Sequence, residues 1–321
     1  MHLNLLFLAS AAMATLAHPG PHESLSHSTL QRRNMQGKRC SEHVASFNKR
    51  RMAKRSLAKR WEGSDHNTTY EIHTEAPFYE TINNDTCVLA PEVTRGPYVW
   101  PRSQTLRQDM TEDQVGVPLW LDIGVISMDT CEPLPDALID FWHCNSTGSY
   151  SSFTGLSPNT PFEELLTNMN ITDYDLGVTD LHTGDTTWLR GMWPTDANGM
   201  MEMKTIFPGF YVERAIHIHV QVYIHWTTRE NGTVVAGNTV STGQLYFDEQ
   251  LEEKIMAIDP YFSHTEIKRT TNAKDSIFSQ GFDGGYNPVI SVVPADGKDV
   301  KNGMIRYVTI GVDTSDIETF N

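Results

Sequence analysis

The chain has 321 residues, of which 39% are hydrophobic and 20% charged, which is typical of a globular protein and excludes a wholly disordered chain or a coiled coil. Its net charge of −15 argues against nucleic acid as a partner. The charge is uneven, because residues 1–60 hold 11 of the 25 Lys and Arg but only two acids; the remainder has 14 bases against 38 acids, a net charge of −24. No apolar run long enough to span a membrane follows the first twenty residues.

Residues 1–17 have the pattern of a secretory signal peptide. A short apolar stretch ends in Thr15-Leu16-Ala17, which places small residues before a cleavage point. Five N-glycosylation sequons agree with a secreted, extracellular protein, and they lie at Asn67, Asn84, Asn145, Asn170 and Asn231. The alternative is a buried N-terminal helix.

Residues 18–60 form a basic segment with five dibasic pairs. Either it is a propeptide trimmed at those pairs, or it is a solvated amphipathic helix over Ser41–Arg60. We favour the helix, capped by Ser41, and any cleavage would then precede Cys40. Its apolar side chains facing the body would be Val44, Phe47 and Leu57. Residues 61–321 are the predicted main domain.

Beyond residue 70 the pattern is one of short β-rich runs between turn signals, with few helices. Many strands without interleaved helices predict a mainly β fold, an antiparallel β-sandwich or barrel with long loops. The predicted strands are 119–128, 137–145, 200–207, 211–227, 233–240, 243–247, 289–293 and 304–312, and the predicted helices are 161–169 and 249–256.

The first two predicted strands, 119–128 and 137–145, are separated by a short turn-rich link and suggest a hairpin. A hairpin would bring Cys131 close to Cys144, so we expect a disulfide between them and, by elimination, a second between Cys40 and Cys87. Four free buried thiols are the alternative.

The densest signal for a site is His217-Ile218-His219. Successive side chains of a strand alternate faces, so the two imidazoles share one face and could bind a metal. A turn at Pro208-Gly209 places Tyr211 just upstream. His225 lies roughly 20 Å from His219 along an extended strand, which excludes it as a ligand. Two surface histidines are the alternative interpretation.

Several motifs in order carry a resemblance to a known family over roughly residues 85–312. They are Gly116-Val117-Pro118-Leu119, Cys131-Glu132-Pro133-Leu134, Asp140-Phe141-Trp142-His143-Cys144-Asn145, Gly148-Ser149-Tyr150-Ser151, Arg190-Gly191, Thr195-Asp196-Ala197-Asn198-Gly199, Thr205-Ile206-Phe207-Pro208-Gly209-Phe210-Tyr211, Arg214, His217-Ile218-His219-Val220 and Thr242-Gly243-Gln244-Leu245. In these motifs the chain resembles the intradiol ring-cleavage dioxygenases, and among them the secreted fungal branch.

The resemblance implies an enzyme that cleaves catechol-type aromatics with O2 between the two hydroxylated carbons, giving cis,cis-muconate-type products. It implies a β-sandwich with one non-haem Fe(III) per chain, held by Tyr150, Tyr211, His217 and His219. Phenolates neutralise a ferric ion, and a strong Lewis acid keeps them ionised.

The resemblance also assigns three catalytic roles. Tyr211 would release on substrate binding and accept a proton. Arg214 would stabilise negative charge on the substrate, and Gln244 would lie beside the reacting oxygen atoms. The alternatives are an ion pair with the acidic body for Arg214 and a plain edge-strand position for Gln244.

The chain departs from the family pattern beside the predicted pocket. Only Val212 and Glu213 separate Tyr211 from Arg214, where many bacterial members have a long insert, and Ala215 stands where proline often follows. The choice of substrate therefore stays open. The long helical dimerisation region of the cytoplasmic catechol dioxygenases is also missing, with only Ser41–Arg60 available, so the oligomeric state stays open as well. Because Asn145 lies close to Tyr150, we expect it to be buried and unglycosylated. Two other functions remain in consideration: a non-catalytic secreted β-sandwich that binds cell-wall carbohydrate or phenolics, and a zinc or copper site on the same histidines.

Overall fold

The computed structural model describes residues 27–57, 93–100, 105–175, 178–230, 234–281, 287–290 and 292–315. The predicted signal peptide, Cys87 and the sequons at Asn67, Asn84 and Asn231 lie outside the described residues.

Strands dominate the described chain. They are β1 (Pro118–Ser127), β2 (Leu138–Trp142), β3 (Arg190–Pro194), β4 (Met200–Ile206), β5 (His217–Ile224), β6 (Thr227–Thr228), β7 (Val234–Val235), β8 (Asn238–Tyr246), β9 (Val292–Pro294) and β10 (Met304–Val312). The helices are α1 (His27–Leu57), α2 (Phe162–Asn168), α3 (Glu249–Met256) and α4 (Ser276–Gln280), with short 3-10 turns at Tyr261–Ser263, Asn272–Lys274 and Val300–Asn302. No described helix is both long and apolar enough to cross a membrane.

Two four-stranded sheets confirm the predicted mainly β fold. One has the order β4-β1-β10-β9 and the other the order β3-β2-β5-β8. All pairs are antiparallel except β1 with β10, which run parallel. The core includes Leu121 and Val308 from the first sheet and Phe141 and Ile218 from the second. In β5 the residues of odd number, His217 and His219 among them, therefore lie on the face of the second sheet away from this core.

The predicted hairpin between the first two strands is wrong. β1 belongs to the first sheet and β2 to the second, so the link between them crosses from one sheet to the other. Two backbone hydrogen bonds attach this link to the last residues of β1. Cys131 N donates to Ser127 O at 2.8 Å, and Leu134 N donates to Val125 O at 2.9 Å.

The disulfide prediction is wrong for the same reason. Cys131 lies beneath α1 and is bonded to Cys40, across 91 residues of sequence, whereas Cys144 is a free, buried thiol just beyond the end of β2 in the second sheet. The predicted Cys40–Cys87 bond is excluded because Cys40 is already paired.

The N-terminal helix is longer than predicted. It begins at His27, so Ser41 lies inside it rather than at its cap, and the Ser41 hydroxyl donates to Lys38 O at 2.9 Å. Val44 and Phe47 are buried against the first sheet as expected, in a cluster with Ile126. The Leu57 side chain is outside the described residues. The helix thus covers the first sheet and leaves the outer face of the second sheet for a site.

The predicted strand 211–227 is shorter at both ends. Glu213 and His225 have φ values of 66° and 58°, a left-handed conformation that a strand cannot contain, so β5 runs only from His217 to Ile224. His225 is exposed beyond the strand end, which confirms that it is no partner of His217 and His219.

His143, just after β2, makes the fold sensitive to acid. Its Nδ1 lies 2.7 Å from Cys144 O and its Nε2 2.7 Å from Thr205 Oγ1, and burial lowers its pKa to about 4. Since the unfolded histidine titrates near 6.5, the unfolded state binds more protons between about pH 6.5 and 4, and stability is lost as the pH falls through that window.

We expect His143→Gln to reduce this acid-induced loss of unfolding free energy by about 3 kcal/mol, which corresponds to a shift of roughly 2.5 pKa units. The measurement is the free energy of unfolding by urea at pH 7 and pH 4 for both proteins. His225→Gln, at an exposed position, is the control and should reproduce the wild-type difference. Equal pH dependence in His143→Gln and wild type would contradict the assignment.

Candidate metal centre

Four predicted donors meet at one buried point on the outer face of the second sheet. The Nε2 atoms of His217 and His219 are 3.1 Å apart, and Tyr211 Oη lies 3.3 Å from His217 Nε2. The Tyr150 ring packs edge-on against that of Tyr211, with centroids 5.5 Å apart. The four side chains are at most 5% exposed, so the alternative of two surface histidines is wrong.

The imidazoles are held with Nε2 directed at this point. His217 Nδ1 lies 2.7 Å from the Ala215 carbonyl and so carries the proton, which leaves the lone pair on Nε2. The His219 ring lies flat on Trp142, at 4.8 Å and an interplanar angle of 2°. Both rings are therefore oriented before any ligand arrives.

The two tyrosines come from two turns that touch. Gly209 N donates to Asn145 O at 3.0 Å, and a Cβ on Gly209 would lie 2.5 Å from both Asn145 O and Ser146 O. On the other turn Gly148 has φ 88°, and a Cβ there would lie 2.2 Å from Phe210 O. Only glycine at both positions lets Tyr150 and Tyr211 approach each other.

Gly209→Ala should therefore separate the tyrosines. We expect about a 10²-fold loss of catalytic efficiency (kcat/KM), because a shift of about 1 Å at a reactive site has that cost. We also expect a loss of roughly 1–3 kcal/mol of stability from overpacking. The measurements are steady-state kinetics and urea unfolding. The matched control is Gly184→Ala, whose Cβ would have its nearest neighbour at 3.9 Å. Wild-type kinetics in Gly209→Ala would show that the contact does not set the site.

Asn145 is half-buried rather than buried. Its Oδ1 accepts from Ser149 N at 3.0 Å and Thr147 N at 3.1 Å, and its Nδ2 donates to Gln114 Oε1 at 3.1 Å. The amide nitrogen that a glycan would use is thus engaged with Gln114, and the amide oxygen is engaged in the turn that bears Tyr150. That it is unglycosylated stays a prediction.

Burial governs the protonation of both phenols. It raises the pKa of Tyr211 to about 12, although the Arg214 guanidinium opposes the shift, and it raises that of Tyr150 well above its ordinary value. The Tyr150 hydroxyl makes no hydrogen bond within the described part of the chain. A buried polar atom without a partner is rare, and a metal ion at this point would both ionise and satisfy it.

Arg214 and Gln244 lie beside these donors. Arg214 Nη1 is 3.5 Å from Tyr211 Oη, and Nη2 donates to Gln244 Oε1. Gln244 pairs in register with His219 and donates to Thr94 O at 2.8 Å. Arg214 also forms an ion pair with Asp275, and Gln244 lies on the edge strand β8. Both structural alternatives are therefore observed, and neither excludes the predicted catalytic role of its residue.

Three aromatic or acidic neighbours were not foreseen. Tyr98 stacks on Tyr150 at 4.3 Å, Tyr246 Oη accepts from Arg214 at 3.0 Å, and Asp275 binds Arg214 Nε at 2.9 Å. Only Tyr98, in Gly96-Pro97-Tyr98, carries a local signal, that of a turn that delivers a tyrosine.

A pocket of about 160 Å³, partly open to solvent, adjoins the donors without containing them. Its lining includes Trp142, whose face covers His219, and also Asp140 and Gln221 further along the same sheet face. Burial raises the pKa of Asp140 to about 7 against the opposing charge of Arg190.

The donor set differs from that of a zinc site. Within the described ranges no group of three or more His, Cys, Asp and Glu could hold a metal. The cluster instead combines two imidazoles with two phenols, and hard phenolate oxygens favour ferric iron over zinc or copper.

Comparisons with known proteins identify a family and a fold. The family model described as Dioxygenase matches residues 95–263, more than half of the chain. No curated protein matches the chain. Among solved structures, an intradiol ring-cleavage dioxygenase from Tetranychus urticae is similar at 24% identity, covering 71% of this chain and 95% of that one with a TM-score of 0.55. Catechol 1,2-dioxygenase from Acinetobacter sp. ADP1 is 18% identical, with 72% and 66% covered and a TM-score of 0.43. The chain thus belongs to the dioxygenase family, and it is an oxidoreductase with the fold of the intradiol ring-cleavage enzymes.

Proposed function

We propose that the protein is a secreted, non-haem Fe(III) intradiol dioxygenase that cleaves catechol-type aromatics with O2 to cis,cis-muconate-type products. One observation carries the proposal: two buried phenols and two imidazole Nε2 atoms converge on one point beside a buried guanidinium. A carbohydrate-binding module needs no such cluster.

Tyr150, Tyr211, His217 and His219 would hold one iron ion per chain. Bound there, Fe(III) would act as a Lewis acid that ionises the phenols and activates a bound aromatic diol toward O2. The donors fit a ferric ion because two phenolates balance its charge.

Tyr211 is the residue best placed to accept a proton from the diol. It lies against Arg214, whose positive charge favours the phenolate form, while burial favours the neutral phenol. Because burial outweighs the Arg214 charge, a Tyr211 phenolate that is not bound to a metal would be strongly basic and would readily take up a proton.

Arg214 supplies the fixed positive charge of the site. It is 1% exposed, so its field acts with little screening by solvent on negative charge that develops in the substrate. Gln244, held through Thr94 O and Arg214, presents an amide beside the same space.

Export through an oxidising compartment is part of the proposal. The Cys40–Cys131 bond supports it, since stable disulfides are rare in reducing compartments. Membership of the secreted fungal branch rests on the sequence motifs and the predicted signal peptide.

The test is turnover of catechol by the iron-loaded protein under ¹⁸O2, with the product identified by mass spectrometry. We expect a cis,cis-muconate that carries both atoms of one O2. An extradiol semialdehyde, a quinone without ¹⁸O, or no oxygen uptake by fully iron-loaded protein would each contradict the proposal, and the last would favour a binding role.

A further inference from the structure

We infer that Asp275 is a positioning residue of the reaction, which fixes the guanidinium of Arg214 toward the donors; the inference rests on the proposed function. Asp275 lies 61 residues after Arg214, just before α4, and neither side chain is more than 2% exposed. No sequence motif of the site includes it.

Asp275 binds the Nε–H group of Arg214 and leaves its two Nη atoms for the residues of the site. Its Oδ2 accepts from Arg214 Nε at 2.9 Å and from Ala215 N at 2.8 Å, so it binds the side chain and its adjoining backbone together. Nη1 is then directed to Tyr211 Oη, and Nη2 to Gln244 Oε1 and Tyr246 Oη. The planar guanidinium cannot rotate without losing several of these contacts at once.

The carboxylate is itself held from its other side. Asp275 Oδ1 accepts from Ile277 N at 2.7 Å and Phe278 N at 3.2 Å, two N–H groups in the first turn of α4. Burial alone would raise its pKa, but the Arg214 charge and these hydrogen bonds lower it, so it stays ionised. A rigid helix cap is thereby joined to the charged group of the site.

Tyr246 completes the arrangement. Its Oη accepts from Arg214 Nη2 at 3.0 Å and donates to Gln244 Oε1 at 2.7 Å, and its ring lies 5.7 Å from that of His217. The chain from Asp275 through Arg214 to Gln244 therefore leaves the guanidinium one orientation.

The experiment is a double-mutant cycle with Asp275→Asn and Arg214→Met. Asparagine can still cap α4 with its one oxygen, but its amide nitrogen then faces Arg214 Nε as a donor, so the charge and the acceptor are lost together. Methionine removes the guanidinium. Asp275→Asn should lower kcat/KM about 10–10²-fold in the wild-type background, as expected for a misplaced charged group. In the Arg214→Met background the same change should lower kcat/KM by less than about 3-fold. The reason is that Asp275 acts through Arg214, so the effects of the two changes are not additive.

Two further readouts separate positioning from folding. The visible iron band and the loading with iron should be unchanged in Asp275→Asn. In the metal-free protein the thermal midpoints should also be non-additive, with the double variant melting no lower than Arg214→Met. Asp248→Asn, which alters the equivalent cap of α3, is the control and should leave kinetics unchanged.

Equal losses from Asp275→Asn in both backgrounds, or wild-type kcat/KM in Asp275→Asn, would overturn the inference. If wild-type protein loaded with iron does not cleave catechol, the proposed function fails by itself. The melting cycle in the metal-free protein then still decides whether Asp275 fixes Arg214: additive midpoints would refute it.

Discussion

Tyr150→Phe is expected to abolish ring cleavage while leaving the fold intact. The change removes one oxygen atom that is buried and without a hydrogen bond in the described chain, so no interaction that supports the fold is lost. Because the Lewis acidity of a bound metal accounts for several kcal/mol of catalysis, kcat/KM should fall by at least about 10³-fold. The thermal midpoint of the metal-free protein should stay the same or rise, since the buried hydroxyl has no partner to lose.

Iron content and activity after reconstitution check this prediction. Tyr174→Phe is the matched control, because Tyr174 packs half-buried against the same aromatic cluster and is not among the donors. If Tyr150→Phe keeps activity within a few-fold of wild type, Tyr150 is not a ligand and the donor set is wrong.

Reduction of the Cys40–Cys131 bond should destabilise the protein by about 2–4 kcal/mol, the second large effect. The bond closes a loop of 91 residues, which restricts the unfolded chain strongly, and it fixes α1 to the first sheet. Arg39 donates to Met128 O and Val44 and Phe47 are buried, so the reduced helix keeps some contacts. Turnover should persist in the folded reduced protein, because the donors lie at the outer face of the second sheet, whereas the bond fixes α1 to the first sheet.

Urea unfolding with and without a thiol reductant measures this effect. The double variant Cys40→Ser/Cys131→Ser should no longer respond to the reductant, whereas Cys144→Ala should respond as wild type does. An unchanged unfolding midpoint in reduced wild type would show that packing, and not the bond, holds the helix. A loss of the response in Cys144→Ala would point to a different pairing.

Local sequence patterns predicted a strand or helix well where its bounds are determined by residues within the segment itself. Met304–Val312 and Glu249–Met256 agree with the structure to the residue, because their apolar periodicity and the Asp248 cap are encoded within the segment itself. The predicted strand with the two histidines was too long, because its ends depend on residues in a left-handed conformation, which apolar periodicity does not reveal. β3 was missed because Gly191 and Pro194 weaken its strand pattern.

Pairing between distant segments could not be predicted in the same way. The predicted hairpin was wrong because the pattern of 119–145 does not indicate which sheet each strand joins. The parallel partner of β1 lies 185 residues later in the chain. The predicted Cys131–Cys144 disulfide was wrong because it was inferred from that hairpin. The four proposed metal donors could be named because they belong to motifs that resemble those of a family, whereas Asp275 and Tyr246 reach Arg214 only through the fold.

The most direct test of the central claim is the visible absorption spectrum of the purified, iron-loaded protein before and after anaerobic addition of catechol. Two tyrosinate ligands of one ferric ion predict a red-brown charge-transfer band that moves to longer wavelength when catechol binds, with one iron per chain. A protein that remains colourless and free of iron after reconstitution would contradict the ferric site and, with it, the proposed reaction.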